Sequence, residues 1–377
     1  MTNSATSKTY DRSVLEADLK AIHEKGVPGL LAAAHTGREL LTVRYGVAEL
    51  DSERPIAYDS YFRMGSTGKT FTAAAVLQLV GEGLLALDDL VEDWLPGVVR
   101  GNGNDGTKIT IRRLLQQTSG LREYMYDVPI WSAKDFREHR HDSYTPEELV
   151  AIAMRHEPNW VPEPGDRRWN YSNTNYVLLG MIIKKVTGPE RSQVVTDRII
   201  RPLGLDHTFS PGDDPRLPEP HPKGYTEFPD STEPVETTEV NPTPFDAAGD
   251  LITTAADLVR FWQALLGGEL LAPAQLAAMK ETVPAPEWDP VFPGASYGLG
   301  IARFRSPCGP YWGHAGNTPG HTAHSGFTED GRRGMVLFTT FWAPNEHALP
   351  IEKLINDAMD HLMCSPGVGS QTPAGAV

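Results

Sequence analysis

The 377 residues carry 34 Lys and Arg against 49 Asp and Glu, a formal charge of −15 that disfavours nucleic acid and anionic membranes as partners. Hydrophobic residues at 40% and charged residues at 22% describe a globular chain, long enough to bury a core without a disulfide or metal staple. With 35 Gly and 31 Pro, long shaped loops are expected between its elements.

The first 26 residues are polar and then helix-like, without the apolar run of a secretory signal. Stretches 29–34 and 73–80 are the most apolar and are too short to span a bilayer. Read literally, this predicts a soluble cytoplasmic protein. Residues 30–35 and 41–47 predict two strands around a turn at Thr36-Gly37. Residues 64–80 give a glycine-serine turn followed by an Ala-rich, Pro-free apolar run, a buried helix. From 84 to 254 the pattern is mostly helical, with apolar residues at three- and four-residue steps over 146–156 and 176–187. Residues 211–244, dense in Pro, Asp, Glu and Thr, predict a long surface excursion. Strand-like stretches return at 297–304, 311–314, 321–327 and 333–341, and 349–363 closes the pattern as a helix.

This order predicts an α/β fold. Strands from both chain ends, within 9–83 and 255–363, form one antiparallel sheet flanked by helices. Residues 84–254 form a mainly helical insertion, and 364–377 a disordered tail. No repeat of fixed period is present, which argues against a solenoid or propeller.

Three segments carry candidate chemistry. In Ser66-Thr67-Gly68-Lys69 the hydroxyl and the amine are three residues apart, on one face if a helix starts there. A buried lysine loses basicity, and an uncharged amine takes the proton of a serine nucleophile. The Ser66 amide, at a helix start, is also suited to an oxyanion. Taken alone, the same residues read more simply as an N-capping serine before a surface lysine. The second segment is Tyr171-Ser172-Asn173: a phenol for proton relay and an amide to hold both substrate and amine, or simply a polar turn capping the next helix. The third is His314-Ala315-Gly316-Asn317, where Gly316 admits close backbone approach. There the Asn317 N–H supplies a second oxyanion donor and His314 polar or positive character; otherwise His314 is a satisfied strand histidine. No Gly-x-Ser-x-Gly elbow surrounds Ser66, and His139-Arg140-His141-Asp142 lacks a metal-ligand spacing. Two cysteines, Cys308 and Cys364, make neither a zinc cluster nor a Cys-x-x-Cys pair.

Taken together, Ser66-x-x-Lys69, Tyr171-x-Asn173 and His314-x-Gly316, in that order, resemble the serine β-lactamase and penicillin-binding superfamily. The likeness is to the branch of class C β-lactamases, D-Ala-D-Ala carboxypeptidases, D-aminopeptidases and related esterases. It extends over about residues 15–363, through segments such as 114–121, 202–205 and 248–251. The resemblance implies an antiparallel sheet with helices beside an all-helical domain, and a site in the cleft between them. It implies that Ser66 is acylated, that Lys69 and Tyr171 relay protons and that Asn173 holds the substrate amide. His314 then stands where other members carry the lysine of a Lys-Thr-Gly triplet, with Gly316 beside it, and the Ser66 and Asn317 amides form the oxyanion hole.

Two departures narrow the substrate. Carboxypeptidases of this branch carry His-Thr-Gly-Thr, whose hydroxyls bind a terminal carboxylate; here Ala315 and Asn317 replace both. Their arginine after Tyr-Gly-Leu-Gly is displaced by one place to Arg303, and one step along a strand reverses its facing. The expectation is a serine acyl-enzyme catalyst needing no cofactor or metal. It would move an acyl group from a neutral ester, amide or peptide to an amine or water, as a cytoplasmic transacylase, cyclase or esterase of antibiotic-type biosynthesis. Aromatic residues Tyr124, Tyr126, Trp131 and Trp342 are candidates for a broad acceptor pocket. The alternatives are a D-Ala-D-Ala carboxypeptidase or weak β-lactamase anchored by Arg303, and a non-catalytic binder, for which a nucleophile would be superfluous. Cys308 and Cys364 stand where exported relatives have a disulfide; in a cytoplasmic setting they are expected reduced.

Overall fold

A computed structural model of the chain describes residues 10–343 and 347–365. The expected disordered tail lies outside the described residues from 366 onward. Helix α1 (Arg12–His23) starts where the Asp11 side chain accepts the Ser13 and Val14 amides, and it buries Leu15, Leu19 and Ile22 on one stripe. Strands β1 (Gly29–Thr36) and β2 (Leu40–Gly46) follow as the expected hairpin. In β1, Leu30, Ala32 and Ala34 pack into one core layer and Leu31 and Ala33 into another. A strand covered on both faces needs such an uninterrupted apolar run rather than alternation.

The later strands are β3 (Val283–Pro284), β4 (Ser296–Tyr297), β5 (Ala302–Phe304), β6 (Tyr311–Thr318), β7 (His321–Phe327) and β8 (Arg333–Thr339). They join the first two in a single sheet of order β2-β1-β8-β7-β6-β5-β4-β3, antiparallel at every pairing. The two chain ends therefore meet in one sheet through β1 and β8, with Leu30 opposite Thr339. The run expected over 297–304 divides at Gly298–Gly300 into β4 and β5, because Gly300 takes a φ of +78° and turns the chain back.

The outer face of the sheet is covered by α1 and the closing helix Ala348–Met363, whose Ile351, Ile355, Ala358, Met359 and Leu362 are buried. On the other face lies α2 (Gly68–Gly81), which buries all but three of its residues and has no polar side. Its Phe71 ring stacks on Phe261 of the helix Ala255–Leu266. The middle of the chain contributes helices including Pro146–Met154 and α3 (Thr174–Thr187), together with short two-residue strands. Residues 211–244 are not a pure surface excursion. Tyr225–Thr226 pairs with Phe341–Trp342, and Phe228 and Val240 enter the main core.

Cys308, between β5 and β6, and Cys364, at the end of the closing helix, form a disulfide, which corrects the reduced pair expected from the sequence. The fold brings their Cα atoms to 5.1 Å, within bridging range, although they are 56 residues apart in sequence. No helix among the described residues is long and apolar enough to cross a membrane.

Candidate active site

Ser66 lies in the single turn Gly65–Thr67 that runs directly into α2, so Ser66 and Lys69 share a face as their spacing predicts. Two glycines let the serine turn press against β6. Gly65 has a φ of +52°, and a Cβ there would lie 2.8 Å from the backbone N and O of Asn317. A Cβ on Gly316 would lie 2.1 Å from the Met64 carbonyl and 2.7 Å from the Ser66 nitrogen. Backbone contact this close presses the turn that carries Ser66 against the Gly316–Asn317 stretch of β6.

Lys69 is completely buried. Its Nζ lies 3.0 Å from Ser66 Oγ, 2.5 Å from Asn173 Oδ1 and 3.0 Å from the Ala248 carbonyl. Burial pulls its pKa from 10.5 down to about 7, against the opposing pull of the Glu123 carboxylate. The two non-serine partners are acceptors only. Once the amine is uncharged, its two remaining N–H bonds point to Asn173 Oδ1 and the Ala248 carbonyl, and its lone pair faces the serine hydroxyl. In that geometry an uncharged amine is within reach of the serine hydroxyl proton.

Tyr171 closes the site from above. Its ring centroid is 4.8 Å from Lys69 Nζ. Burial holds the phenol pKa far above its usual 10, and interaction with the Ser66 hydroxyl only partly offsets this. The phenol therefore stays protonated at neutral pH. Its buried hydroxyl has no hydrogen-bond partner of regular geometry among the described residues. Asn173, at the N-terminus of α3, ties its side chain to Lys69 and donates its backbone N–H to Glu123 Oε2.

His314 is fully buried on β6. Its Nδ1 donates to the Ala315 carbonyl, which leaves Nε2 to accept from the Tyr297 hydroxyl at 2.9 Å. Burial and the neighbouring Lys69 push its pKa down to about 3. The positive character anticipated for His314 is thus corrected: it is a neutral imidazole in a dry wall. Arg303, the alternative anchor for a carboxylate, is exposed on β5 opposite Trp312. Of the aromatic candidates, Tyr124 belongs to the core with its hydroxyl on the Pro244 carbonyl, and Tyr126 projects into solvent. Trp131 and Trp342 pack on each other.

Two features escape a motif search. Glu123 is buried, accepts the Asn173 and Met125 amides, and sits in the field of Lys69; desolvation raises its pKa while those partners oppose the rise. Gln117 adopts a left-handed backbone with φ +65°, and its side-chain oxygen accepts the Ser172 amide while its carbonyl accepts the Asn170 amide. Gln117 thereby shapes the turn that carries Tyr171 and Asn173. A buried acid and a polar clamp from 50 residues away leave no local spacing pattern to find.

The chain is 41% identical, at a TM-score of 0.81, to a D-stereospecific amidohydrolase from Streptomyces sp., covering 88% of this chain and 95% of that one. It is 28% identical, at a TM-score of 0.80, to the D-amino acid amidase of Ochrobactrum anthropi SV3 complexed with L-phenylalanine amide, covering 93% and 96%. Penicillin-binding protein 4* of Bacillus subtilis is 27% identical over 345 residues, 89% of this chain and 72% of that protein. The model of the family described as beta-lactamase matches residues 13–359, and this chain is a member of that family.

Proposed function

We propose that the protein is a serine acyl-transfer enzyme acting on neutral amides or esters of amino acids, passing the acyl group from Ser66 to water or to an amine. The three-point hold on Lys69 Nζ carries this reading. In the forward step the Ser66 hydroxyl proton passes to uncharged Lys69 while Oγ bonds to the carbonyl carbon, and the oxyanion rests on the Ser66 and Asn317 amides. Tyr171 gives its proton to the departing amine or alcohol and regains one from the Lys69 ammonium. Deacylation reverses the relay, with Lys69 accepting a proton from the incoming water or amine.

The substrate class follows from charge. The site holds a buried carboxylate, Glu123, beside Lys69, while Arg303 faces solvent. A free carboxylate on the substrate would enter without a cationic partner, and an unpaired buried ion is strongly disfavoured. The similarity to a D-amino acid amidase, in a complex with L-phenylalanine amide, supports a neutral amino acid amide as substrate. A role as a transacylase in small-molecule biosynthesis rests on the acceptor being an amine.

Intact-mass measurement tests the proposal, with an activated amino acid ester, a β-lactam and a D-Ala-D-Ala peptide as probes and Ser66→Ala as control. A Ser66-dependent adduct from the ester, discharged faster by amines than by water, supports transfer. Discharge by water alone supports hydrolysis. No adduct with any probe, or rapid turnover of the D-Ala-D-Ala peptide, overturns the reading.

A further inference from the structure

Between β3 and β4 the chain forms a strap, residues 285–295, that packs beside Tyr171. Pro284, Pro286, Pro290 and Pro293 restrict its backbone, so it is stiff rather than a free loop. Residues 286, 287, 289 and 290 are exposed, yet Trp288 between them is half-buried and turned inward. Its indole lies 5.6 Å from the Tyr171 ring and 5.8 Å, edge-on, from His314. Trp169 and Tyr297 back it at 5.5 and 5.4 Å. The neighbouring Glu287 carboxylate accepts the Tyr171 backbone N–H and the Asn170 side-chain amide, each at 3.2 Å. The strap is therefore registered against the catalytic tyrosine itself.

We infer that Trp288 determines acyl-donor specificity: its indole is the wall that receives an aromatic or large apolar side chain next to the scissile carbonyl, with Glu287 as the positioning residue that holds it. The inference rests on the acyl-transfer reading above and names the side chain of that substrate. A carbonyl bonded to Ser66 Oγ would lie near Tyr171, whose ring meets the Trp288 indole at 5.6 Å. Aromatic rings meet such a surface in edge or offset geometry with little loss of side-chain freedom. A small donor such as an alanyl group would leave the indole uncovered.

The test compares kcat/KM for the amides of D-phenylalanine and D-alanine. Trp288→Ala is expected to lower the phenylalanine-to-alanine ratio at least about tenfold, mainly through KM for the phenylalanine amide, as expected for loss of an apolar subsite. Trp288→Phe should keep the ratio within about threefold. Glu287→Leu should lower kcat for both amides, and Glu287→Gln, which retains an acceptor for the Tyr171 N–H, should restore it. An unchanged ratio in Trp288→Ala, or equal losses for both amides, overturns the inference. If Trp288→Ala does not fold, Trp288→Leu takes its place in the same assay: a lowered ratio supports the inference, and an unchanged ratio or equal losses overturn it. If neither amide nor an activated ester acylates the wild-type enzyme, the acyl-transfer reading itself fails, and the inference falls with it.

Discussion

Lys69 can serve as a base only while uncharged, so the acylation rate of Ser66 should follow its titration. With an unshifted pKa of 10.5, about 0.03% of the amine would be uncharged at pH 7; at about 7 the fraction is about half. Acidification to pH 5 leaves about 1% uncharged, so acylation should fall about 50-fold between pH 7 and 5, and rise no more than about twofold between pH 7 and 9. His314, held neutral down to about pH 3, adds no limb in this range, and Tyr171 stays protonated throughout it. The measurement is the single-turnover burst of an activated ester in a pH series, with Ser66→Ala subtracted. In Glu123→Gln the carboxylate that favours the ammonium is gone, so the acidic limb should move to lower pH. A limb centred near 10, or a flat profile from 5 to 9, would refute the uncharged-lysine mechanism. Abolition of the limb in Glu123→Gln would reassign the titration to Glu123.

Lys69→Met should be inactive yet more stable than wild type near pH 7. The unfolded chain keeps the lysine proton up to about 10.5 whereas the folded chain loses it near 7, so wild-type stability rises with pH between those values. The gap should therefore narrow towards pH 10 from a ceiling of about 5 kcal/mol, read by urea unfolding at several pH values. Gly316→Ala should abolish acylation, because its Cβ would overlap the Met64 carbonyl and crowd the Ser66 amide, and neither backbone can swing away. Retention of more than a tenth of the activity would show that β6 and the serine turn are not locked together. Cys308→Ser should lower unfolding free energy by up to about 4 kcal/mol from chain entropy alone, given the 56-residue separation, without changing the acylation pH profile.

What the sequence could disclose depended on how local each signal is. The hairpin of β1 and β2, the buried α2 and the closing helix follow from unbroken apolar runs and helical steps within a dozen residues. Ser66 and Lys69 are legible because one helical turn converts their spacing into contact. Asn173 and His314 become legible through family likeness, since nothing local says that residues about 100 and 250 positions downstream of Ser66 will surround it. Trp288, Glu123 and Gln117 are opaque for a related reason: a tryptophan between prolines, an acid in a Leu-Arg-Glu-Tyr stretch and a loop glutamine gain meaning only from burial and from partners supplied by the fold. The charge of His314 departs from expectation because sequence does not register the loss of solvent that neutralises the ring. The disulfide departs from it because the compartment argument takes no account of the final helix delivering Cys364 to the loop before β6.

The Lys69 amine is gripped by an asparagine at the start of α3 and by a carbonyl more than 70 positions further along, neither belonging to the helix that carries it. Reactivity is therefore a property of assembly. A nascent or partly melted chain exposes only an ordinary alcohol and a hydrated, protonated amine, and is chemically inert. On the proposed mechanism the amine becomes a base only as the fold completes, so residual turnover would report on the intact population.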